Sequence, residues 1–153
     1  MRRVLLSTGI VLALFGASFW LASQISADEP SEVKHSPVEA DMHEFMEYVC
    51  EPPYKRLKSA MANPTPDNAV WKGVKSDALI LAESGNLLIG RPPEKEAADW
   101  LKLAAGVRES GGALYRAAKK KDPAEAHKQW ELMLNQCNSC HKQFAGGEHQ
   151  LTP

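Results

Sequence analysis

Trp130-Glu131-Leu132-Met133-Leu134-Asn135-Gln136-Cys137-Asn138-Ser139-Cys140-His141-Lys142-Gln143-Phe144 is the stretch whose periodicity decides the fold. A helix turns about 100° per residue, so with Cys137 at zero Cys140 falls at about 300° and His141 at about 40°. Trp130 at about 20°, Met133 at about 320°, Leu134 at about 60° and Phe144 at about 340° share that arc. Asn135, Gln136, Asn138, Ser139, Lys142 and Gln143 fall outside it. One amphipathic helix therefore carries two thiols and an imidazole within an apolar and aromatic stripe.

Cys137-x-x-Cys140-His141 is the C-x-x-C-H spacing by which haem is attached covalently. Each residue type has a chemical task there: the two thiols add across the two vinyl groups of one porphyrin, and the adjacent imidazole is placed as proximal iron ligand. Two other readings compete. Half of a zinc site would need a second ligand pair, and the third cysteine, Cys50, has no C-x-x-C or H-x-x-x-H partner nearby. A thioredoxin-like dithiol would need a strand before it, whereas helical sequence precedes this pair.

The first 27 residues read as a targeting segment. Arg2 and Arg3 precede an uncharged stretch from Val4 to Ile25 rich in Leu, Ala and Phe. Cleavage after Ala27 would leave Ile25 at the minus-three position, a poor small-x-small site, so residues 1–27 are expected to be either a signal peptide or a retained N-terminal anchor that tethers the chain. Export favours crossing unfolded by the general secretory route and acquiring haem outside, in the periplasm. In an oxidising compartment the two thiols would otherwise be at risk of pairing, so a C-x-x-C-H there makes most sense as thiols consumed by haem. Cys50 is then odd, and its simplest reading is a small buried apolar residue. Residues 28–35 are polar and aperiodic, a short flexible leader. The remaining chain has the size of one domain. The formal net charge is −1, with no basic excess, which gives no support to a nucleic-acid partner.

Four helices are expected in residues 36–145. Ser36-Pro37-Val38-Glu39 has the form of a capping box and opens the first, with Val38, Met42, Phe45, Met46 and Val49 on one face. Pro52-Pro53 should kink or interrupt it before Tyr54 to Met61 resume the pattern. The second starts after Thr65 at Pro66-Asp67 and runs towards Gly85; the third starts at Pro93-Glu94 and contains Gly111-Gly112, which marks a kink or a close approach. Lys119-Lys120-Lys121 ends it, where positive charge suits the carbonyl end of the dipole. Asp122-Pro123 opens the fourth, which carries the motif until Gly146-Gly147 stops it and leaves 146–153 as a C-terminal tail. Strand signals are lacking and the connections are short. The expected fold class is all-α, an up-down-up-down antiparallel four-helix bundle with covalent haem.

A four-helix chain whose last helix bears C-x-x-C-H-x-x-F, Cys137 to Phe144, resembles the cytochrome c′ family over residues 36 to about 145. The resemblance implies one covalent haem c held by Cys137 and Cys140, with His141 as proximal axial ligand, and frequent homodimers through the first two helices. It implies either a five-coordinate iron that binds small gases such as NO and CO or a six-coordinate iron that passes electrons. Gas-binding members often carry a basic residue four positions after the ligand histidine, and this chain departs from that pattern with Ala145.

The first helix supplies the distal wall in that family. Met42 and Met46 share its apolar stripe, while His43 lies beyond the edge. A thioether is the favoured sixth ligand, with Met46 first because it best matches the family's distal position and Met42 second. His43 would make a bis-histidine site of lower potential. His127 sits about 21 Å along the helix from His141 and cannot reach the same iron. His35 and His149 lie in polar flanks and read as solvated, and Trp71, Trp100 and Trp130 as packing. The expectation is an exported monohaem cytochrome carrying single electrons between redox partner proteins, with gas binding as the alternative. No nucleophile and base pair suggests an enzyme.

Overall fold

The computed structural model describes residues 36–63 and 65–153. The targeting segment (1–27) and the leader (28–35) lie outside the described residues. Among the described residues the structure is all-helical, without strands, and is built of α1 (Met42–Phe45), a π-helical turn (Met46–Cys50), α2 (Glu51–Met61), α3 (Asn68–Ile89), α4 (Ala97–Lys120) and α5 (Pro123–Phe144). The first three run on without a break, so the described residues form four helical rods. None is long and apolar enough to cross a membrane.

The first rod begins later than its capping-box signature suggests. Asp41, not Ser36, is the N-cap: its carboxylate accepts from the His43 N–H at 2.7 Å and more weakly from that of Glu44. Glu39 accepts from the Asp41 N–H at 2.7 Å, and Arg91 donates to the Glu39 carbonyl at 3.0 Å. A charged cap and a long-range anchor therefore outcompete the local serine box. Val38 is left fully exposed and Phe45 enters the core at 3% exposure.

Pro52 and Pro53 do not interrupt the rod. Without their N–H groups the carbonyls of Tyr48 and Val49 would lose their α-helical partners, and the rings would crowd those carbonyls. The chain widens by one turn instead: the Glu51 N–H bonds to the carbonyl of Met46, five residues back. The prolines lie in the first turn of α2, directly after the widened turn.

Asp67 caps α3, accepting from Val70 N–H at 2.8 Å, and the helix continues through Gly85 to a cap at Gly90. Gly85 is not a stop because α4 lies against it. A Cβ there would stand 2.8 Å from the Arg108 nitrogen and 2.9 Å from the Ala104 oxygen. Gly111, likewise, marks contact rather than a kink, its missing Cβ leaving room for Ala82, and the Trp100 indole donates to the Leu88 carbonyl at 2.7 Å. Position numbers fall along α3 as they rise along α4 through these contacts. α4 starts at Ala97 rather than Pro93, after Glu96 in the left-handed region, and α5 begins where its Asp122-Pro123 signature places it.

The core is continuous from α2 through α5, with Leu57, Val74, Leu114, Trp130 and Met133 at 2% exposure or less. A smaller cluster of Phe45, Leu88, Trp100 and Ala104 sits under α1. Asp77 is buried in α3 and takes a bidentate Arg56 from α2, the closest approach 2.6 Å. Helices α3, α4 and α5 pack in sequence, and α2 packs on α3. The seam between α2 and α5 is bridged by the stacked rings of Tyr54 and Trp130, 5.8 Å apart.

The two helical glycines at positions 85 and 73 should respond in opposite directions. Gly85→Ala forces a Cβ into the α4 backbone and should destabilise by about 1–3 kcal/mol. Gly73→Ala meets nothing within 4 Å and should stabilise by about 0.5–1 kcal/mol. Chemical denaturation of the two variants, read as a shift in midpoint, checks both.

Candidate functional site

The seam opens into a cavity of about 640 Å³, within the range of cofactor sites. Its walls are predominantly apolar. From α5 come Cys137, Cys140 and His141, flanked by Trp130, Met133, Leu134 and Phe144, so the stripe set by helical periodicity faces one space. The opposite wall is the first rod. The widened turn keeps Met42, Met46, Cys50 and Tyr54, spaced by four, all on the cavity side.

Burial sets the state of the thiols. Cys137 is pushed up to about 12, chiefly by desolvation and further by the neighbouring sulfurs of Cys50 and Cys140. Cys140 is raised by burial as well. Redox-active or metal-seeking cysteines sit in electropositive surroundings that favour the thiolate. This pair has the reverse environment, that of neutral thiols facing an apolar space. Among the described residues no three His, Cys, Asp or Glu side chains converge as a metal-binding group.

His141 Nδ1 lies 2.8 Å from the backbone carbonyl of His149. A carbonyl only accepts, so Nδ1 is the donor, and in the neutral ring the lone pair is then on Nε2. Met42 and Met46 are half-buried and pack on the Phe45, Leu88 and Trp100 cluster. His43 also lines the cavity, but its side chain is 68% exposed and its Nε2 is 3.6 Å from Glu47. His127 is exposed on α5 and does not line the cavity. Trp71 and Trp100 are buried packing residues, the latter edge-on to Phe144.

Trp130 is 1% exposed, lines the cavity, and its indole N–H has no hydrogen-bond partner. A buried orphan donor is costly. The two thiols, the imidazole and the thioethers opposite are the side chains that could hold a cofactor in this largely apolar space.

Two features of the site escape the sequence. Cys50 is an element of the cavity wall rather than general core, and the only advance signal was the Pro52-Pro53 pair that creates the widened turn. The tail, residues 146–153, returns over α5 and contributes Glu148, His149 and Leu151 to the rim. The His149 side chain is exposed, as expected of a solvated histidine, while its backbone carbonyl is engaged by His141. The chain matches no protein-family model, and no curated protein aligns with it significantly.

Cys50 gives a direct test of the site's polarity. Burial pushes its thiol up to about 11 from 9.0, with Ser84 and Arg91 pulling partly back. Because the folded value exceeds the unfolded one, the neutral thiol supports the fold fully below pH 9.0, and that support is lost as pH rises through about 11. Only the thiolate alkylates. At pH 8 Cys50 should react with iodoacetamide about 100-fold more slowly in the folded chain than after unfolding, the ratio set by the displaced pKa. Peptide mapping over a time course measures it.

Proposed function

We propose that this chain is an exported monohaem c-type cytochrome of the cytochrome c′ kind, an up-down-up-down four-helix bundle that passes single electrons between redox partner proteins. The observation that carries the proposal is the convergence of Cys137, Cys140 and His141 on one apolar cavity whose opposite wall presents Met42 and Met46. The resemblance to that family rests on the C-x-x-C-H-x-x-F motif in the last helix.

In this reading Cys137 and Cys140 fix haem c to α5 through thioethers, and His141 offers Nε2 to the iron. Met46, with Met42 as second choice, offers its sulfur from the first rod. Bound there, haem c supplies a one-electron couple. The protein's part is to choose the iron's ligands and to exclude water with Trp100, Leu134 and Phe144. Burial and a soft thioether both favour the reduced state and raise the potential. Residues 1–27 direct the chain to the periplasm or tether it there, and the first two helices provide the homodimer surface that the resemblance implies.

The test is the ferrous absorption spectrum with and without carbon monoxide, joined to the ferric sulfur-to-iron charge-transfer band in the far red. Wild type should be low-spin, show the band and resist carbon monoxide. Met46→Leu should lose the band, bind carbon monoxide and have a lower potential, while costing under about 1.5 kcal/mol in folding because volume and apolarity are kept. Met42→Leu should leave ligation intact; the reverse result selects Met42. A high-spin wild type that binds carbon monoxide at once contradicts electron transfer and assigns the chain to the gas-binding class. Fractionation should find the haem-loaded chain outside the cytoplasm, and loaded protein confined to the cytosol contradicts export.

A further inference from the structure

Residues 145–153 do not trail from the bundle. The Ala145 and Gly147 N–H groups both bond to the His141 carbonyl, at 2.9 and 3.0 Å, and Gly146 and Gly147 take φ of 65° and 82°. This turn ends α5 and sends the chain back along it. Asn138, between the two motif cysteines, then holds Leu151 at both backbone groups: its side-chain oxygen accepts from the Leu151 N–H at 2.7 Å, and its amide donates to the Leu151 carbonyl at 2.9 Å. The end of the segment is tied to α2. Tyr54 donates to the Thr152 carbonyl at 2.9 Å, its oxygen accepts from the Thr152 N–H at 3.2 Å, and Lys58 donates to the Thr152 hydroxyl.

Between these anchors His149 is held at φ 57°, the left-handed region that costs a side-chain-bearing residue about 1–2 kcal/mol. The residue under strain is the one whose carbonyl meets His141 Nδ1. A strained backbone persists only where its surroundings over-determine it. Here the surroundings are the Asn138 clasp and the Tyr54 anchor.

We propose that residues 146–153 are a strap that positions His141: the His149 carbonyl selects the Nδ1–H tautomer, fixes the ring plane and leaves the Nε2 lone pair facing the cavity, and Asn138 is the positioning residue that holds the strap in place. A histidine that donates its second N–H to a fixed acceptor is a stronger, better-oriented metal ligand. The strap would therefore act on the potential as well as on geometry, which rests on the haem reading. Its action on the tautomer does not.

The experiment compares the full chain, Asn138→Ala, Asn138→Asp and a chain ending at Gly147, each with and without haem attached. In the haem-free chains at a pH where imidazole is neutral, ¹⁵N spectra of the His141 ring should show a single Nδ1–H tautomer in wild type. The truncated chain and Asn138→Ala should shift towards the Nε2–H form that free imidazole side chains prefer. Asn138→Asp keeps the acceptor for Leu151 N–H and should fall between. In the haem-loaded forms the midpoint potential should rise in the same order, since a weaker imidazole donor stabilises ferric iron less. Fold loss is read separately from thermal unfolding, which a merely structural strap would change without moving tautomer or potential. Truncated and Asn138→Ala chains that are folded and keep the wild-type tautomer overturn the strap. A wild type that takes no haem overturns the proposed function, and the ring spectra then still decide the strap.

Discussion

The site depends on one constraint, the angular coincidence by which a helix places residues 137, 140 and 141 within a single arc. In front of that arc the bundle leaves an apolar space, which suits neutral thiols, while the imidazole has its own partner in the His149 carbonyl. The bundle supplies the space at the α2 and α5 seam, where contact is made by Tyr54 and Trp130 rather than by close backbone approach. Elsewhere the helices close tightly. Gly85 and Gly111 let α4 lie on α3, so the framework behind the cavity is rigid while the front is open.

The opposite wall is governed by the missing N–H groups of Pro52 and Pro53. A regular α-helix advances its face by about 40° every four residues, so a stripe spaced by four drifts around the rod. The π-helical turn Met46–Cys50 offsets that drift and keeps Met42, Met46, Cys50 and Tyr54 turned to the cavity. Two residues that read as helix breakers are thus the reason four side chains share one wall. Widened turns of this kind recur at functional sites, where they re-aim side chains.

What the sequence discloses is what is local. The Asp122-Pro123 start of α5, the helical setting of the motif and the absence of strands among the described residues could be read directly, because caps and periodicity act over one or two turns. The start of the first rod could not. Ser36-Pro37-Val38-Glu39 has every local mark of a cap, yet Arg91, 52 positions away, holds Glu39 outside the helix and passes the role to Asp41. Gly85 was legible as a possible stop but not as a contact, since the deciding atoms belong to Ala104 and Arg108. The strap was hidden for the same reason: its anchors join residues 13 and 98 positions apart, and its sequence has no periodicity. That Cys137, Cys140 and His141 share one face was legible because helical spacing fixes it, whereas Cys50 has no spacing to mark its place on the cavity wall.

The central claim is that two of the three cysteines are consumed by one cofactor. The chain has three, all free thiols in this structure. Intact mass of the exported chain, followed by unfolding, reduction and exhaustive alkylation, measures the claim directly. The account predicts a mass increase of one haem that survives unfolding, with a single alkyl group taken up, at Cys50, and the haem on the peptide containing Cys137 to His141. Alkylation at all three cysteines with no retained haem mass would contradict it.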